Sequence, residues 1–311
     1  MQAPAPSIVV LVGPTAVGKS ALAMRLAPRF NADIVSADSR QVYRYMDIGT
    51  AKPSLAEQGS VRHYMLDLVE PDETYTAGSF KREGARVLRR IAAEGRLALI
   101  VGGTGFYLRA LLDGLDLPAV APDERLRQQL RAEAETQGPD ALYARLRALD
   151  PRSADRIHPN NLPRVIRALE IVDALGGPVP SGRAVQHRAL YIGLTMDRAM
   201  LRAVADRRVL KQVEAGLVRE TEILLAMGYS AEAPALSGFG YREMVRYLRG
   251  GLSLDEAIAA YQIATHQYIR RQMTWFRQDA RIHWLDADTA EEAALPLIGD
   301  WLATDASGSR A

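Results

Sequence analysis

The stretch SIVVLVGPTAVGKS, residues 7–20, joins an unbroken apolar run to a glycine-rich loop ending in Gly-Lys-Ser. An apolar run without polar alternation is the pattern of a strand covered on both faces, as in the middle of a parallel sheet. The loop satisfies G-x-x-x-x-G-K-[ST] through Gly13, Gly18, Lys19 and Ser20. That spacing suits backbone N–H groups converging on phosphate oxygens at a helix N-terminus, with a lysine point charge and a hydroxyl for Mg²⁺. With a strand before it and a helix after it, the segment Gly13, Pro14, Thr15, Ala16, Val17, Gly18, Lys19 and Ser20 is the candidate phosphate-binding loop, and Ser20 the candidate metal ligand. The loop alone leaves open whether the phosphate is transferred, hydrolysed or expelled.

Strand and helix signals alternate through the first 120 or so residues. After the opening strand, Lys19 to Phe30 reads as a helix, ADIVSAD as a second strand, RHYMLDLVEP as a half-alternating third, Phe80 to Glu94 as a helix and RLALIVGG as another buried strand. This is the grammar of an α/β protein, a P-loop NTPase-like core whose parallel sheet is flanked by helices. From Pro122 to Arg188 the pattern turns wholly helical, with Asn160 or Asn161 as N-cap of LPRVIRALEIVDAL. RALYIGLTM then reads as a strand again, so an all-helical domain is inserted into the core. The expected division is 1–121 for the first part of the core, 122–188 for the insertion and 189–311 for a mostly helical second part. That last part should hold a long helical stretch from Asp197 to Asp279, broken near GYSAEAPALSGFGYR, and a short strand at RIHWLDA.

Composition narrows the chemistry. The chain has 311 residues and is 48% hydrophobic, enough for a sizeable core. It has no cysteine, which removes disulfides, thiolate catalysis and cysteine-based zinc sites. His63, His158, His187, His266 and His283 are scattered without metal-ligand spacing. No apolar run approaches the roughly 20 residues that span a bilayer, and the N-terminus lacks a signal-peptide pattern, so a cytoplasmic protein without membrane contact is expected. The net charge of +2 divides into −5 for residues 282–311 and +7 for the rest, a balance that suits a polyanionic partner. Because 35 of the 39 basic residues are arginine, compositional bias accounts for that balance equally well.

Three further segments bear on the reaction. A hydrolysing P-loop protein needs an acid at the end of a second buried strand to organise Mg²⁺, but LALIVGGTGFY ends in Gly102-Gly103-Thr104, which speaks against an ordinary ATPase. Nor is Gly103-Thr104-Gly105 a dinucleotide fingerprint, since Leu108 stands where a third small residue is needed. A second ligand-facing turn with Thr104 as hydroxyl donor is the better reading. Asp38 sits at the carboxyl end of the second strand, where ligands bind in open α/β sheets, and can serve as general base. Capping the following turn, or helping to hold Mg²⁺, is the alternative for Asp38. In the helix through ATHQYIRRQMTWFR, the aromatic stripe Tyr261, Tyr268 and Trp275 reads as core. Arg270, Arg271 and Arg277 read as surface contacts for a polyanion, with Arg271 one turn from Trp275.

Taken together, VGPTAVGKS, SADSRQVYRYMDIGTAKP, VGGTGFYLRALLDGL, HPNNLPRVIRALEI, SGFGYREM and ATHQYIRRQMTWFR resemble, in order, the signature blocks of the tRNA dimethylallyltransferases, also called tRNA isopentenyltransferases. The resemblance runs from residue 7 to 277. It implies transfer of a dimethylallyl group from dimethylallyl diphosphate to the exocyclic N6 amine of the adenosine 3′ of the anticodon, with Mg²⁺ as cofactor, the tRNA anticodon stem-loop as partner and a monomeric enzyme. It further implies that the loop holds the diphosphate and that Asp38, Lys19, Thr104 and Arg208 are catalytic, with Arg207 a near competitor of Arg208. For tRNA contact it implies Asp38, Ser39, Arg40 and Gln41; Thr104; Arg127, with Arg125 as alternative; Pro163, Arg164, Val165, Ile166 and Arg167; and Ser237, Gly238, Phe239, Gly240, Tyr241 and Arg242. The chain reads Asn161-Leu162-Pro163 where the family often has Asp-Pro-Gln, and it lacks the zinc finger of the eukaryotic members. A P-loop small-molecule or nucleotide kinase is the alternative reading, and a non-enzymatic RNA-binding switch a third.

Overall fold

The computed structural model describes residues 6–180 and 187–308. Six strands, β1 (Ile8–Val12), β2 (Ala32–Ser36), β3 (His63–Tyr64), β4 (Leu97–Val101), β5 (Leu190–Thr195) and β6 (Ile282–Asp286), form one sheet in the order β3-β2-β4-β1-β5-β6. Every pairing is parallel, and Val10 of β1 lies between Ile100 of β4 and Tyr191 of β5.

The apolar run of β1 is explained by what covers it. Val9 and Leu11 pack on Leu22 and Leu26 of α1 (Lys19–Arg29) and on Ile298 of a C-terminal helix, Ala290–Gly308. Ile8, Val10 and Val12 face the other way, onto Phe80, Leu88 and Ile91 of Ala77–Ala93 and Leu108 and Leu112 of Gly105–Leu112. Each such fully buried aliphatic side chain contributes about 1.5–3 kcal/mol. The result is the P-loop-type layered α/β core the sequence led us to expect.

The chain divides into two compact units, one of residues before Gly114 and after Val185, the other Gly114–Val185. With α2 (Leu55–Ser60), α3 (Ala77–Ala93) and α4 (Gly105–Leu112) before the insertion and α5 (Glu124–Gln137), α6 (Pro139–Leu149), α7 (Pro151–Ala154) and α8 (Leu162–Leu175) within it, the first unit also carries α9 (Arg198–Glu214), α10 (Leu217–Ala226), α11 (Tyr241–Leu248) and α12 (Leu254–Phe276). These helices close over the 42–46 segment in a separate core that includes Met46, Val209, Leu236, Met244 and Tyr261. The helical insertion packs Leu130, Leu142, Leu146, Val165 and Leu169 together. Among the described residues, no helix is long and apolar enough to cross a membrane.

The third strand is shorter than its sequence pattern suggests. Only His63 and Tyr64 join the sheet. Met65 and Asp67 adopt positive φ, which ends extended pairing, and the amides of Asp67 and Leu68 turn instead to the carbonyls of Gln41 and Val42. Asn161 stands at the N-cap of Leu162–Leu175, but its side chain makes no capping bond.

In the insertion, Glu170 is 1% exposed and gathers the Asp123 amide, the Arg127 guanidinium and that of Arg167. Burial pushes its carboxyl up, but those bonds outweigh burial and hold it below the usual 4.5. A depressed carboxyl contributes stability that is present above the unfolded value and lost as pH falls through the folded one. Glu170→Gln, which leaves two guanidiniums facing a neutral amide, should cost about 3–5 kcal/mol of unfolding free energy at neutral pH, read by urea titration. An unchanged unfolding midpoint would show that the network carries no stability.

Candidate active site

The candidate residues gather where the parallel strands end. The loop after β1 reaches the N-terminus of α1, so its amides meet the positive end of that helix. Gly13 has φ +134°, and a Cβ there would lie 2.6 Å from the Leu194 carbonyl of β5, so only glycine fits. The Lys19 ammonium donates to the carbonyls of Gly13 and Pro14 at 2.9 and 2.7 Å. Burial of that ammonium and the neighbouring Arg208 lower its pKa to about 7, while Asp38 pulls the other way. Val17 of the same loop is buried in the core, so its side chain is unavailable to a ligand.

Two cavities meet at this point. One, of about 390 Å³, is lined by Gly18, Lys19, Ser20, Gly102 and Gly103. The other, of about 210 Å³, is walled by Val209, Phe239, Tyr241, Tyr261 and Tyr268. Thr15, Asp38, Thr50 and Arg208 line both. Asp38 Oδ1 accepts from the Arg40 amide at 2.8 Å, so the turn-capping role and exposure to the cavities coexist in one carboxylate. Arg208, half-buried on α9, is the arginine of the pair that faces the site; Arg207 is exposed and lines neither cavity.

Thr104 lines neither cavity. Its hydroxyl accepts from the Ser39 amide at 3.1 Å, fixing the turn that carries Asp38, and Tyr268 lines the aromatic cavity next to Asp38. Burial and the Asp38 charge push the Tyr268 phenol up to about 12, so it stays protonated. Gln41 is held inside its own loop: it accepts from Ser36 Oγ at 2.7 Å and donates to the carbonyls of Thr50 and Ala51. Arg40 donates to Pro234 O at 2.8 Å beside Gly238 and lines the aromatic cavity, as does Ser39.

Several expected RNA-contact residues have other positions. Val165 and Ile166 are buried in the insertion core, which leaves Pro163 and Arg164 as the exposed members of that block. Arg127 and Arg167 are anchored on Glu170, and Arg125 is exposed. Tyr241 is 2% exposed, with its phenol on Glu220 and the Gly49 amide; Gly238 and Gly240 are buried, while Ser237 and Arg242 are exposed. Arg271 lies over Tyr268, at 5.7 Å, instead of over Trp275, which Arg109 covers at 5.8 Å. Tyr268 and Trp275 are only half-buried, so the aromatic stripe is core at Tyr261 alone.

Sequence reasoning passed over the residues that hold this machinery. Glu220 accepts from the amides of Asp47, Ile48 and Gly49, and Gln212 donates to the carbonyls of Ile48 and Gly49. Lys52, its side chain only 2% exposed, pairs with Asp47 and Asp67. The signature DIGTAKP is thus a braced wall of the site. Acids and amides isolated on helical faces carry no sequence pattern that announces such contacts.

Among the described residues no cluster of three or more His, Asp or Glu could hold a metal ion. Ser20 and Asp38 do share the loop cavity, a sparse oxygen set that suits Mg²⁺ held mainly by phosphate and water.

The IPP transferase family model matches residues 41–279. A tRNA dimethylallyltransferase of Roseiflexus sp. (strain RS-1) is 45% identical over 300 residues, covering 95% of this chain and 98% of its own. The tRNA dimethylallyltransferase 1 of Syntrophotalea carbinolica is 44% identical over 304 residues, 96% of each chain. Among solved structures, the full-length tRNA isopentenylpyrophosphate transferase from Bacillus halodurans matches with a TM-score of 0.74 and 37% identity, over 98% of this chain and 99% of that one. A eukaryotic dimethylallyltransferase acting on tRNA matches with a TM-score of 0.80 and 26% identity, over 96% of this chain and 80% of that one.

Proposed function

This chain belongs to the IPP transferase family of tRNA dimethylallyltransferases, and from that premise we propose that it prenylates the exocyclic N6 amine of the adenosine 3′ of the anticodon, taking the group from dimethylallyl diphosphate. The kinase alternative is set aside, because the relatives over nearly the whole chain are prenyl transferases to tRNA. The observation that carries the reading is Asp38, which borders both the loop cavity and the aromatic cavity.

The chemistry follows from that placement. The diphosphate belongs in the loop cavity, against the loop amides, Lys19 and Arg208, and the adenine belongs in the aromatic cavity. A bond forms between N6 and the first prenyl carbon as that carbon's bond to the diphosphate oxygen breaks. The N6 proton passes to Asp38, and the negative charge leaves with the diphosphate. Mg²⁺ near Ser20 would supply further neutralisation of the leaving group. The target base must leave its stack to reach Asp38, and Phe239 and Tyr268 offer it aromatic faces. On this reading the enzyme works as a monomer in the cytoplasm, where its tRNA substrate is.

With Mg²⁺ and dimethylallyl diphosphate, an unmodified anticodon stem-loop should gain one C₅H₈ unit by mass spectrometry. A stem-loop of unchanged mass rejects the reading.

The Lys19 pKa adds a linked prediction. With a value of about 7 in the free site, Lys19 is largely neutral at about pH 8, and a bound diphosphate draws its proton back. Affinity for inorganic diphosphate should therefore weaken as pH rises through about 7. Calorimetry in buffers of different ionisation heat should show proton uptake that Lys19→Met lacks. Equal uptake by the two proteins would place the proton elsewhere.

A further inference from the structure

Gln272 ties α12 to two turns of the site at once. Its Oε1 accepts from the Thr15 amide at 2.8 Å and its Nε2 donates to the Gly103 carbonyl at 3.2 Å. An N–H on one side and a carbonyl on the other fix which end of the amide is which. Gln272 is 4% exposed and borders the loop cavity beside Lys19. A Cβ on Gly103 would stand 2.0 Å from Nε2, so the glycine after β4 makes room for this amide. Thr15 belongs to the phosphate loop and lines both cavities.

We propose that Gln272 is a positioning residue for the diphosphate: from α12 it sets the loop at Thr15 and the turn at Gly103 in the arrangement that receives the donor. Three observations point the same way. The loop has no other side-chain bond to α12 among the described residues. The bond reaches the loop's own backbone, the part that meets phosphate oxygens. And both ends of the Gln272 amide are committed to backbone partners, one on each turn. The adjacent Arg271 borders the aromatic cavity, so one helix presents consecutive residues to the acceptor side and to the donor loop. The role in turnover rests on the prenyl-transfer reading; the diphosphate-binding part does not.

The test uses full-length protein and two probes, inorganic diphosphate by calorimetry and stem-loop prenylation by mass. Gln272→Met fills nearly the same space without either bond. It should weaken diphosphate binding about tenfold and raise the donor KM by a similar factor, with kcat within about threefold and stem-loop affinity unchanged. Gln272→Glu keeps an acceptor for Thr15 but brings a carboxylate to the phosphate cavity, and should bind diphosphate more weakly still. Gly103→Ala, which crowds Nε2 from the other side, should reproduce the Gln272→Met defect, and it keeps the proposal testable should the first variant fail to fold. Diphosphate binding within twofold of the wild type in a folded Gln272→Met or Gly103→Ala protein overturns the proposal, as does a loss confined to kcat or to stem-loop binding. If wild-type protein binds diphosphate but forms no prenylated RNA, the proposed function fails, while the diphosphate arm still decides the role of Gln272.

Discussion

Asp38→Ala should slow prenyl transfer by about 10²–10⁴-fold while stem-loop affinity stays within about twofold, because the side chain acts on one proton and not on the RNA as a whole. An adenine N6 lone pair is delocalised into the ring, so the amine becomes a nucleophile only as its proton is drawn away. Among the described residues Asp38 is the only carboxylate bordering both cavities, and its anchored oxygen, bonded to the Arg40 amide, holds the group still. Asp38→Asn retains an oxygen for that turn while removing the base, and should be nearly as slow as Asp38→Ala. If Asp38→Asn restores most of the rate, the carboxylate is orienting the base through hydrogen bonding and not taking its proton. A large loss of stem-loop binding in either variant would make Asp38 a recognition residue.

The parts of this molecule that were legible in the sequence are those in which local pattern and chemistry coincide. SIVVLVG reads as a buried strand because both faces of β1 are covered, and GPTAVGKS reads as a phosphate loop because backbone geometry dictates its glycines. That Asp38 and Arg208 border the cavities could be anticipated because they stand at a strand end or within a recognisable block. The third strand could not be bounded, since the turn at Met65 and Asp67 comes from pairing with residues 41 and 42, a contact invisible in a linear pattern. Nor could a block motif separate its core members from its exposed ones. PRVIR carries Val165 and Ile166 inward on the same helix that carries Arg164 outward, and its Arg167 belongs first to Glu170. Gln272 and Glu220 went unnoticed for the same reason: their partners are backbone groups far away in the chain, which leave no residue-type signature.

Arg208→Met should cost about 10²–10³-fold in kcat, the scale of losing one fixed donor to charge that develops as a bond breaks. The ground-state diphosphate already carries much of its charge, so donor KM should rise less than kcat falls. Arg208 lines both cavities and so stands where donor and acceptor would meet, whereas the Lys19 ammonium is bonded to the loop carbonyls. Arg207→Met is the matched control; exposed on the preceding position of α9 and absent from both cavities, it should leave kcat within about twofold. A second readout separates charge from shape. Arg208 is, after burial, the cause that depresses the Lys19 pKa, so its removal should move the midpoint of diphosphate-linked proton uptake to higher pH, while Arg207→Met should not. A kcat loss without that shift would mean that Arg208 supports the site by packing alone, and equal losses in the two variants would mean that α9 as a whole, and not one guanidinium, had been disturbed.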